Sequence, residues 1–251
     1  MSGQKRFSAD GPAPRRRFWT HAAVEMTQRG FAVTLDGKPV MLPDRSPLEV
    51  HSRALADALA AEWQAAGADD PQKRFGPDSL PLTRIAGTMI ERVMTDRQHS
   101  VTTLAGYGEH DLLCYRAEAQ EPVHARQTEL WQPWLDWLRS RHGVNLAVTN
   151  GMMPITQSPD ALAKLQHALS RYTDAELAGL GVAVPALGSL TLGMAVAEDA
   201  LEAERAVDLA TLDEQAQMQR WGEDPTILDR IALVAGDVAD AARFMELARE
   251  K

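Results

Sequence analysis

The 21 residues between Glu176 and Glu198 include no charged side chain. A run of this length is sufficient for a helix that crosses a bilayer. However, it contains four glycines and one proline and few large aliphatic side chains. This composition favours a pair of buried helices broken at Pro185, with the glycines allowing the backbones to approach closely. We therefore expect an uncharged helical core and no membrane insertion.

The composition is that of a globular protein with a substantial core. Of the 251 residues, 45% are hydrophobic and 24% are charged, which is typical of a soluble globular chain. This length is sufficient for one large or two modest domains. Cys114 is the only cysteine, so an internal disulfide is impossible and a reducing compartment is indicated.

Residues 1–17 are basic and lack the apolar run of a secretory signal. Glycine and proline interrupt this segment, so we predict a flexible basic tail. Because the tail is short, we expect a bacterial cytoplasmic protein rather than a mitochondrial import precursor. The mitochondrial matrix would be the compartment if the protein were eukaryotic.

Acidic side chains are concentrated toward the C-terminus. The formal net charge of the whole chain is −9, and residues 198–251 contain 14 acids against 6 bases. Such a surface would repel the phosphates of a nucleic acid. We therefore expect no nucleic acid binding, and a basic protein would suit this surface as a partner.

The N-terminal part has the pattern of an antiparallel β meander. Residues 31–35, FAVTL, alternate in character, and Asp36-Gly37 is the strongest short hairpin signal. Lys38–Leu42 would return along this strand, and Phe18–Val24 would add another. The sequence therefore predicts a small β-rich region.

A helix is predicted to follow the meander and cover one of its faces. Ser52 is placed to cap this helix, which should run to about Ala66 with Trp63 as a core residue. Residues 69–81 are rich in Pro, Asp and Gly and indicate a loop and a domain boundary. The predicted fold class is α+β, with a tail over residues 1–17, a β-rich domain over 18–80 and a larger multihelical domain over 81–251.

Helices are expected to dominate beyond residue 81. Pro122–His142 should form a long helix, and the sequence also predicts single helices over Ala203–Trp221 and Pro225–Glu250. An aromatic and aliphatic stripe on the first of these is expected to lie in the core. It consists of Leu130, Trp131, Trp134, Trp137 and Leu138.

The stretch Thr211–Asp224 predicts a helix with two different faces. One is a narrow apolar stripe that suits burial: Leu209, Leu212 and Ala216. The other has a carboxylate, a thioether and an indole in a row: Glu214, Met218 and Trp221. Gly222 suits a left-handed cap at the end of the helix, and Asp224-Pro225 suits the start of the next one.

The residues alone leave two interpretations of this stretch. In the first, it is an ordinary core helix with Trp221 buried and Glu214 in solvent. In the second, the face with Glu214, Met218 and Trp221 contacts another protein, because Trp is a common anchor of interfaces and Met adapts to irregular partners.

Known catalytic and ligand-binding motifs are missing from the sequence. It has no phosphate-binding G-x-x-x-x-G-K-[ST], no G-x-G-x-x-G after a strand, no G-x-S-x-G and no H-E-x-x-H. One cysteine cannot build a zinc ribbon. We therefore expect no enzyme activity, no metal, no cofactor and no nucleotide requirement.

Two groups of residues remain as candidates for chemistry. His110 and Cys114 are four residues apart, so a helix would bring imidazole and thiol within reach, as a hydrolase with a thiolate nucleophile requires. A buried structural cysteine and an exposed histidine explain the same spacing. Glu223-Asp224 is a possible acid–base pair, although a capping role explains Asp224 more simply.

Several segments together resemble one protein family. They are LDGKPVMLP (35–43), AEW (61–63), PLTRIAGTMIERV (81–93), DLLCYR (111–116), WQPWLDWL (131–138) and LDEQAQMQRWGED (212–224). In this order and spacing they resemble the assembly chaperones of the F-type ATP synthase that bind the alpha subunit of the catalytic head. The resemblance covers about residues 16–248, and residues 106–110 depart from the usual run of small and acidic residues.

The resemblance implies a non-catalytic protein with a small β-rich part and a larger helical part. It would bind the unassembled alpha subunit, prevent its aggregation and release it to beta. Glu214 occupies the position of the family's functionally sensitive acid, and Trp63 that of a sensitive tryptophan, which we assign to fold stability. The expected partner-binding residues are Asp213, Glu214, Met218, Trp221 and Glu223. The expected structural residues are Trp63, Asp111, Tyr115, Arg116 and Asp224.

Two alternatives to the holding chaperone remain. One is a small-molecule hydrolase that uses Cys114 with His110. The other is a permanent structural subunit of a larger complex, which would be found in the finished synthase.

Overall fold

The computed structural model describes residues 15–151 and 153–249. Most of the predicted flexible tail, residues 1–14, lies outside the described residues. The described residues form two compact units, one made of those up to Glu91 and of residues 246–249, the other of those within Arg92–Met245. The predicted α+β fold class is confirmed, with small antiparallel sheets first and a multihelical region after them. The domain boundary expected after residue 80 stays a prediction.

The main sheet of the first unit is an antiparallel meander, as predicted. Strands β2 (Ala22–Met26), β3 (Phe31–Leu35) and β4 (Lys38–Pro39) are neighbours in that order, and β5 (Glu49–Val50) also pairs with β3. The hairpin turn at Asp36-Gly37 has positive φ at both positions, as a mirror-image two-residue turn requires.

Two strands of this sheet are shorter than the sequence predicts. The strand expected from Phe18 starts only at Ala22, because the Asp36 carboxylate accepts hydrogen bonds from the backbone of Thr20 and His21 and holds a loop there. The return strand ends at Pro39, because the Val33 N–H beyond it donates to the Leu48 carbonyl, although the Val40 N–H still donates to Val33.

Helix α1 (Arg53–Ala65) covers this sheet and begins at the predicted cap, where the Ser52 hydroxyl accepts a hydrogen bond from the Leu55 N–H at 3.2 Å. Trp63 is buried and packs edge-on against Trp19, with ring centroids 5.2 Å apart. The indole N–H of Trp19 donates to the Trp63 carbonyl. Trp63 thus joins α1 to the segment that precedes β2.

The remaining elements of the first unit are short. Strand β1 (Arg15–Arg16) pairs antiparallel with β6 (Arg74–Phe75). Helix α2 (Pro81–Thr88) continues into a π-helical turn over Met89–Val93. The Glu62 carboxylate accepts the first backbone N–H groups of α2, which gives the AEW segment a structural role.

The second unit is built from helices and one small parallel pair of strands. Its elements are α3 (Arg97–Gly106), β7 (Tyr115–Arg116), α4 (Pro122–His142), β8 (Thr149–Asn150), α5 (Pro159–Leu169), α6 (Asp174–Leu187), α7 (Leu190–Ala197), α8 (Ala203–Ala210), α9 (Leu212–Trp221) and α10 (Pro225–Arg249). Strands β7 and β8 pair with each other. The last residues of α10 belong to the first unit.

The uncharged segment forms the buried helices α6 and α7, as predicted, but the break is not at Pro185. Pro185 lies in the last turn of α6, and the helix ends where Gly188 adopts the left-handed conformation at φ 63°. The Ser189 hydroxyl then caps α7. The helices approach closely at Gly193, where a Cβ atom would lie 2.6 Å from Val184 Cγ2. Among the described residues, no helix has the length and apolar character to cross a membrane.

Helix α4 has the predicted bounds, but only part of its predicted core stripe is in the core. Trp131 and Leu138 are fully buried, and the indole N–H of Trp131 donates to the Leu209 carbonyl at 2.9 Å. Leu130, Trp134 and Trp137 are only partly buried. The core expectation is therefore wrong for these three, because they lie toward the edge of the face that packs.

His142, the last residue of α4, lies in a polar cluster with Nε2 2.9 Å from Glu198 Oε1. Burial lowers the pKa of His142, the Glu198 carboxylate opposes this effect, and Arg141 adds to it. The folded protein therefore binds this proton less tightly than the unfolded chain does. Stability should fall as the pH drops through the unfolded pKa of about 6.5.

We predict that His142→Gln flattens this dependence, because it removes the titrating group. Urea unfolding of both proteins at about pH 7.5 and about pH 5.5 measures how the free energy of unfolding changes with pH. Both pH values lie above the usual pKa of carboxylates. Equal losses of stability in the two proteins on acidification would contradict the assignment to His142.

Candidate functional site

The predicted single helix over Ala203–Trp221 is two helices, because the chain leaves the helical path at Thr211. Its backbone has φ −107° and ψ 20°, and its hydroxyl donates to the Val207 carbonyl at 2.8 Å. That hydroxyl also accepts a hydrogen bond from Gln215 Nε2. Thr211 therefore ends α8 and starts α9 in a new direction.

Helix α9 and the first half of α10 form a helical hairpin with little burial. Leu212 is the only buried residue of α9, and the first buried residue of α10 is Val234. Between residues 213 and 233, all of which the structure describes, no residue is buried. This segment is called the α9–α10 hairpin below.

The carboxylate of Glu214 forms an ion pair within this hairpin. Arg230 Nη1 on α10 lies 2.5 Å from Glu214 Oε1, and only 19% of the Glu214 side chain is exposed. The pair joins two helices that are otherwise connected by the turn at Gly222. Glu214 is therefore neither the solvated residue of the first interpretation nor a fully free contact residue.

Trp221 is strongly exposed, with 74% of its surface accessible to solvent. The guanidinium of Arg220 lies over its ring, 4.9 Å from the centroid. The interpretation of α9 as an ordinary core helix, with Trp221 buried, is therefore wrong. An indole left open on a folded helix is unusual for a purely structural residue and typical of an interface anchor.

A cleft of about 380 Å³ lies between the end of α9 and the start of α10. The residues that line it are Gln217, Met218, Trp221, Gly222, Glu223, Asp224, Pro225 and Ile227. Gly222 has positive φ as predicted, but its ψ of 166° is outside the left-handed helical region. The Asp224 carboxylate accepts the Thr226 N–H at 2.8 Å, which agrees with its predicted capping position.

Asp213 faces away from this cleft toward α4. Gln127 Nε2 donates to Asp213 Oδ1 at 2.6 Å, and Gln127 Oε1 accepts the Ala117 N–H at 2.7 Å. Partial burial raises the pKa of Asp213, while the hydrogen bond from Gln127 opposes this shift. The sequence does not identify Gln127 as important, because no pattern around a glutamine on a helix indicates that it binds Asp213, 86 residues away.

Of the residues predicted to bind a partner, the structure thus brings Met218, Trp221 and Glu223 together at the cleft. Asp213 and Glu214 support the hairpin from its base and its inner side.

Most of the DLLCYR segment lies in the core of the second unit. The fully buried Asp111 carboxylate accepts hydrogen bonds from both the hydroxyl and the N–H of Thr191, each at 2.8 Å, and from the Ser189 hydroxyl and the Leu113 N–H. Burial raises the pKa of Asp111 against these hydrogen bonds. Arg116, also buried, donates to Gln132 Oε1 at 2.7 Å.

The geometry around Cys114 does not form the predicted nucleophile. The thiol is fully buried, and burial, with a contribution from the Asp111 carboxylate, raises its pKa, so the reactive thiolate is disfavoured. His110 Nδ1 lies 3.1 Å from the Tyr115 hydroxyl, which orients the imidazole toward the phenol. In the described part of the chain, no group of three or more His, Cys, Asp or Glu residues is arranged to hold a metal ion.

Comparison with known proteins gives a consistent result over most of the chain. A family model described as ATP12 chaperone protein matches residues 16–139. The crystal structure of Atp12 from Paracoccus denitrificans is 36% identical, with a TM-score of 0.84, and the match covers 93% of this chain and 98% of that one. The chain belongs to the ATP12 chaperone family.

A mutant form of the same protein and one further relative show the same likeness. An aspartate-to-lysine mutant of P. denitrificans Atp12p is 35% identical, with the same TM-score and coverage. The Schizosaccharomyces pombe protein named "Protein atp12, mitochondrial" is 24% identical over 228 residues, which are 85% of this chain and 77% of that protein. The predicted membership of the ATP synthase assembly chaperone family is thereby confirmed. The match to the family model ends at residue 139, before the α9–α10 hairpin.

We predict that Gln127→Glu destabilises the second unit by about 1–3 kcal/mol, because it places a second carboxylate against Asp213. Adding Asp213→Asn should recover most of the lost stability. The new amide at position 213 can donate a hydrogen bond to the new carboxylate at position 127, the reverse of the wild-type direction. Urea unfolding of the single and double variants measures the coupling.

Asp213→Asn alone is the control, because its side-chain oxygen can still accept the Gln127 hydrogen bond. If the losses of the two single variants simply add in the double variant, Gln127 and Asp213 are not coupled as described.

Proposed function

We propose that this ATP12 family chaperone binds the unassembled alpha subunit of the ATP synthase catalytic head and protects it from aggregation until it pairs with beta. The observation that carries the proposal is the α9–α10 hairpin, which presents an exposed tryptophan beside a cleft and buries none of its residues between 213 and 233. The contact residues are Met218, Trp221 and Glu223, with Asp213 and Glu214 holding the hairpin in place.

The proposal follows from what an orphan subunit exposes. The surface of alpha that later contacts beta is large and partly apolar, and such patches aggregate when they are left open. A chaperone must cover this surface and still be displaced by the true partner. Its affinity for alpha is therefore moderate, on the order of micromolar, or about 8 kcal/mol.

The hairpin suits such reversible binding. Its apolar anchors, Met218 and Trp221, provide contact area, while Glu223 and the acidic C-terminal part of the chain attract a basic surface and speed encounter. Holding and release of this kind require neither covalent chemistry nor a bound nucleotide. Within this proposal the chain is a binding protein and not an enzyme, acting in the bacterial cytoplasm or, in a eukaryote, in the mitochondrial matrix.

We predict that Trp221→Ser weakens binding to separately expressed alpha at least about tenfold, or about 1.4 kcal/mol, because it removes the exposed anchor. The melting temperature should stay nearly constant, since the indole is exposed. Pull-down and titration against alpha and against beta measure the effect, and beta should not bind.

Phe18→Ser is the matched control, an equally exposed aromatic residue in the first unit. Failure of the wild-type chain to bind alpha would refute the proposed function. Recovery of the chain as a permanent component of the finished synthase would favour the structural-subunit alternative instead.

We predict that Glu214→Lys weakens alpha binding, because it sets two cations against each other and opens the hairpin. The charge-reversed double variant with Arg230→Glu should restore the ion pair and most of the binding. Titration of alpha with the wild type, both single variants and the double variant tests this. A double variant that folds normally and stays unable to bind would assign the Glu214 charge to direct contact with alpha, as the sequence predicts.

A further inference from the structure

The cleft at the turn of the α9–α10 hairpin has an electrostatic character that specifies its occupant more closely than apolar contact does. Glu223 and Asp224 line it, and none of the eight lining residues is basic. The end of α9 and the start of α10 both lie at this cleft, so the partial negative charge of the one helix end and the partial positive charge of the other offset each other. The two carboxylates therefore favour a positive charge at this place.

Of the two carboxylates, Glu223 is the better placed to meet a partner. Asp224 uses one oxygen to accept the Thr226 N–H at the start of α10. Glu223 is exposed in the turn between the helices. A cation that enters the cleft would therefore meet Glu223 first, with Asp224 contributing its remaining oxygen.

The aromatic wall of the cleft has the same preference. The ring of Trp221 already binds one guanidinium, that of Arg220, at 4.9 Å from the centroid. The face of an indole attracts cations, and a planar guanidinium both stacks on it and makes paired hydrogen bonds to a carboxylate. Met218 and Ile227 line the cleft as well and would contact the aliphatic stem of a long side chain.

We propose that this cleft receives an arginine side chain of the alpha subunit, with its guanidinium against Glu223 and the ring of Trp221 and its aliphatic stem on Met218. The inference rests on the proposed function and adds the chemistry of the group that is recognised. A purely apolar side chain fits less well, because it would remove water from two carboxylates without replacing their hydrogen bonds. A guanidinium satisfies both the charge and the ring.

The first test uses a small probe and does not involve alpha. N-acetyl-arginine N-methylamide is titrated into the isotope-labelled full chain, and the indole N–H signal of Trp221 is followed by NMR after assignment with Trp221→Phe. The expected result is a saturable shift of this signal that the uncharged citrulline analogue does not produce and that Glu223→Gln abolishes. Equal shifts with both probes, or none with either, would overturn the inference.

The second test makes the same charge change at two positions, one in the cleft (Glu223) and one farther along α10 (Asp237). Glu223→Lys should weaken alpha binding about tenfold or more and reduce its dependence on salt concentration. Asp237→Lys is the matched control, an exposed acid on α10 about 18 Å farther along the helix from Pro225. It should weaken binding much less.

The outcomes separate the two proposals. If the wild-type chain does not bind alpha, the proposed function fails, whatever the probe does. If it binds alpha and the two lysine variants bind alpha with equal affinity, Glu223 has no particular role and the arginine site is refuted.

Discussion

The buried carboxylate of Asp111 is the interaction on which the second unit depends. A polar group that is fully removed from water is tolerated only when its hydrogen bonds are satisfied, and four donors surround this one. Two of the donors belong to Thr191 and one to Ser189, so the carboxyl group joins the DLLCYR segment to the start of α7. Loss of a single donor would leave part of this buried group without a hydrogen bond, which explains how a polar residue can organise an otherwise apolar core.

From this anchor, polar contacts lead outward to the hairpin. The DLLCYR segment ends at Arg116, and the next backbone N–H, that of Ala117, is bound by Gln127. The same glutamine holds Asp213 at the start of α9. Nearby, Trp131 binds the Leu209 carbonyl at the end of α8. The base of the exposed hairpin is thereby fixed to the core, while its tip carries the groups available to a partner.

Features with a local cause could be predicted from the sequence. The ends of α4 follow from Pro122 in its first turn and from Gly143, which is left-handed at φ 69°. The cap at Asp224 and the hairpin turn at Asp36-Gly37 are local in the same way. The break at Thr211 is not predictable from the sequence, because threonine is tolerated within helices. It is shown by the backbone angles of Thr211, φ −107° and ψ 20°.

Features that depend on distant partners could not be predicted. Helical spacing placed Glu214 on one face with Met218 and Trp221, but the approach of Arg230 depends on how α10 folds back. In the same way, the bond between Gln127 and Asp213 depends on the packing of α4 against α9. The family resemblance predicts a functional role for these segments, and the geometry distinguishes those that support the hairpin from those that face outward.

The change of direction at Thr211 also has a mechanical consequence. Helix α9 is about 15 Å long, so a rotation of about 10° at Thr211 would carry its far end through about 2–3 Å. That end bears the exposed indole, whereas the pivot is held by hydrogen bonds to Val207 and Gln215. A small change of backbone angle at Thr211 would therefore move Trp221 into or out of register with the surface of a bound partner.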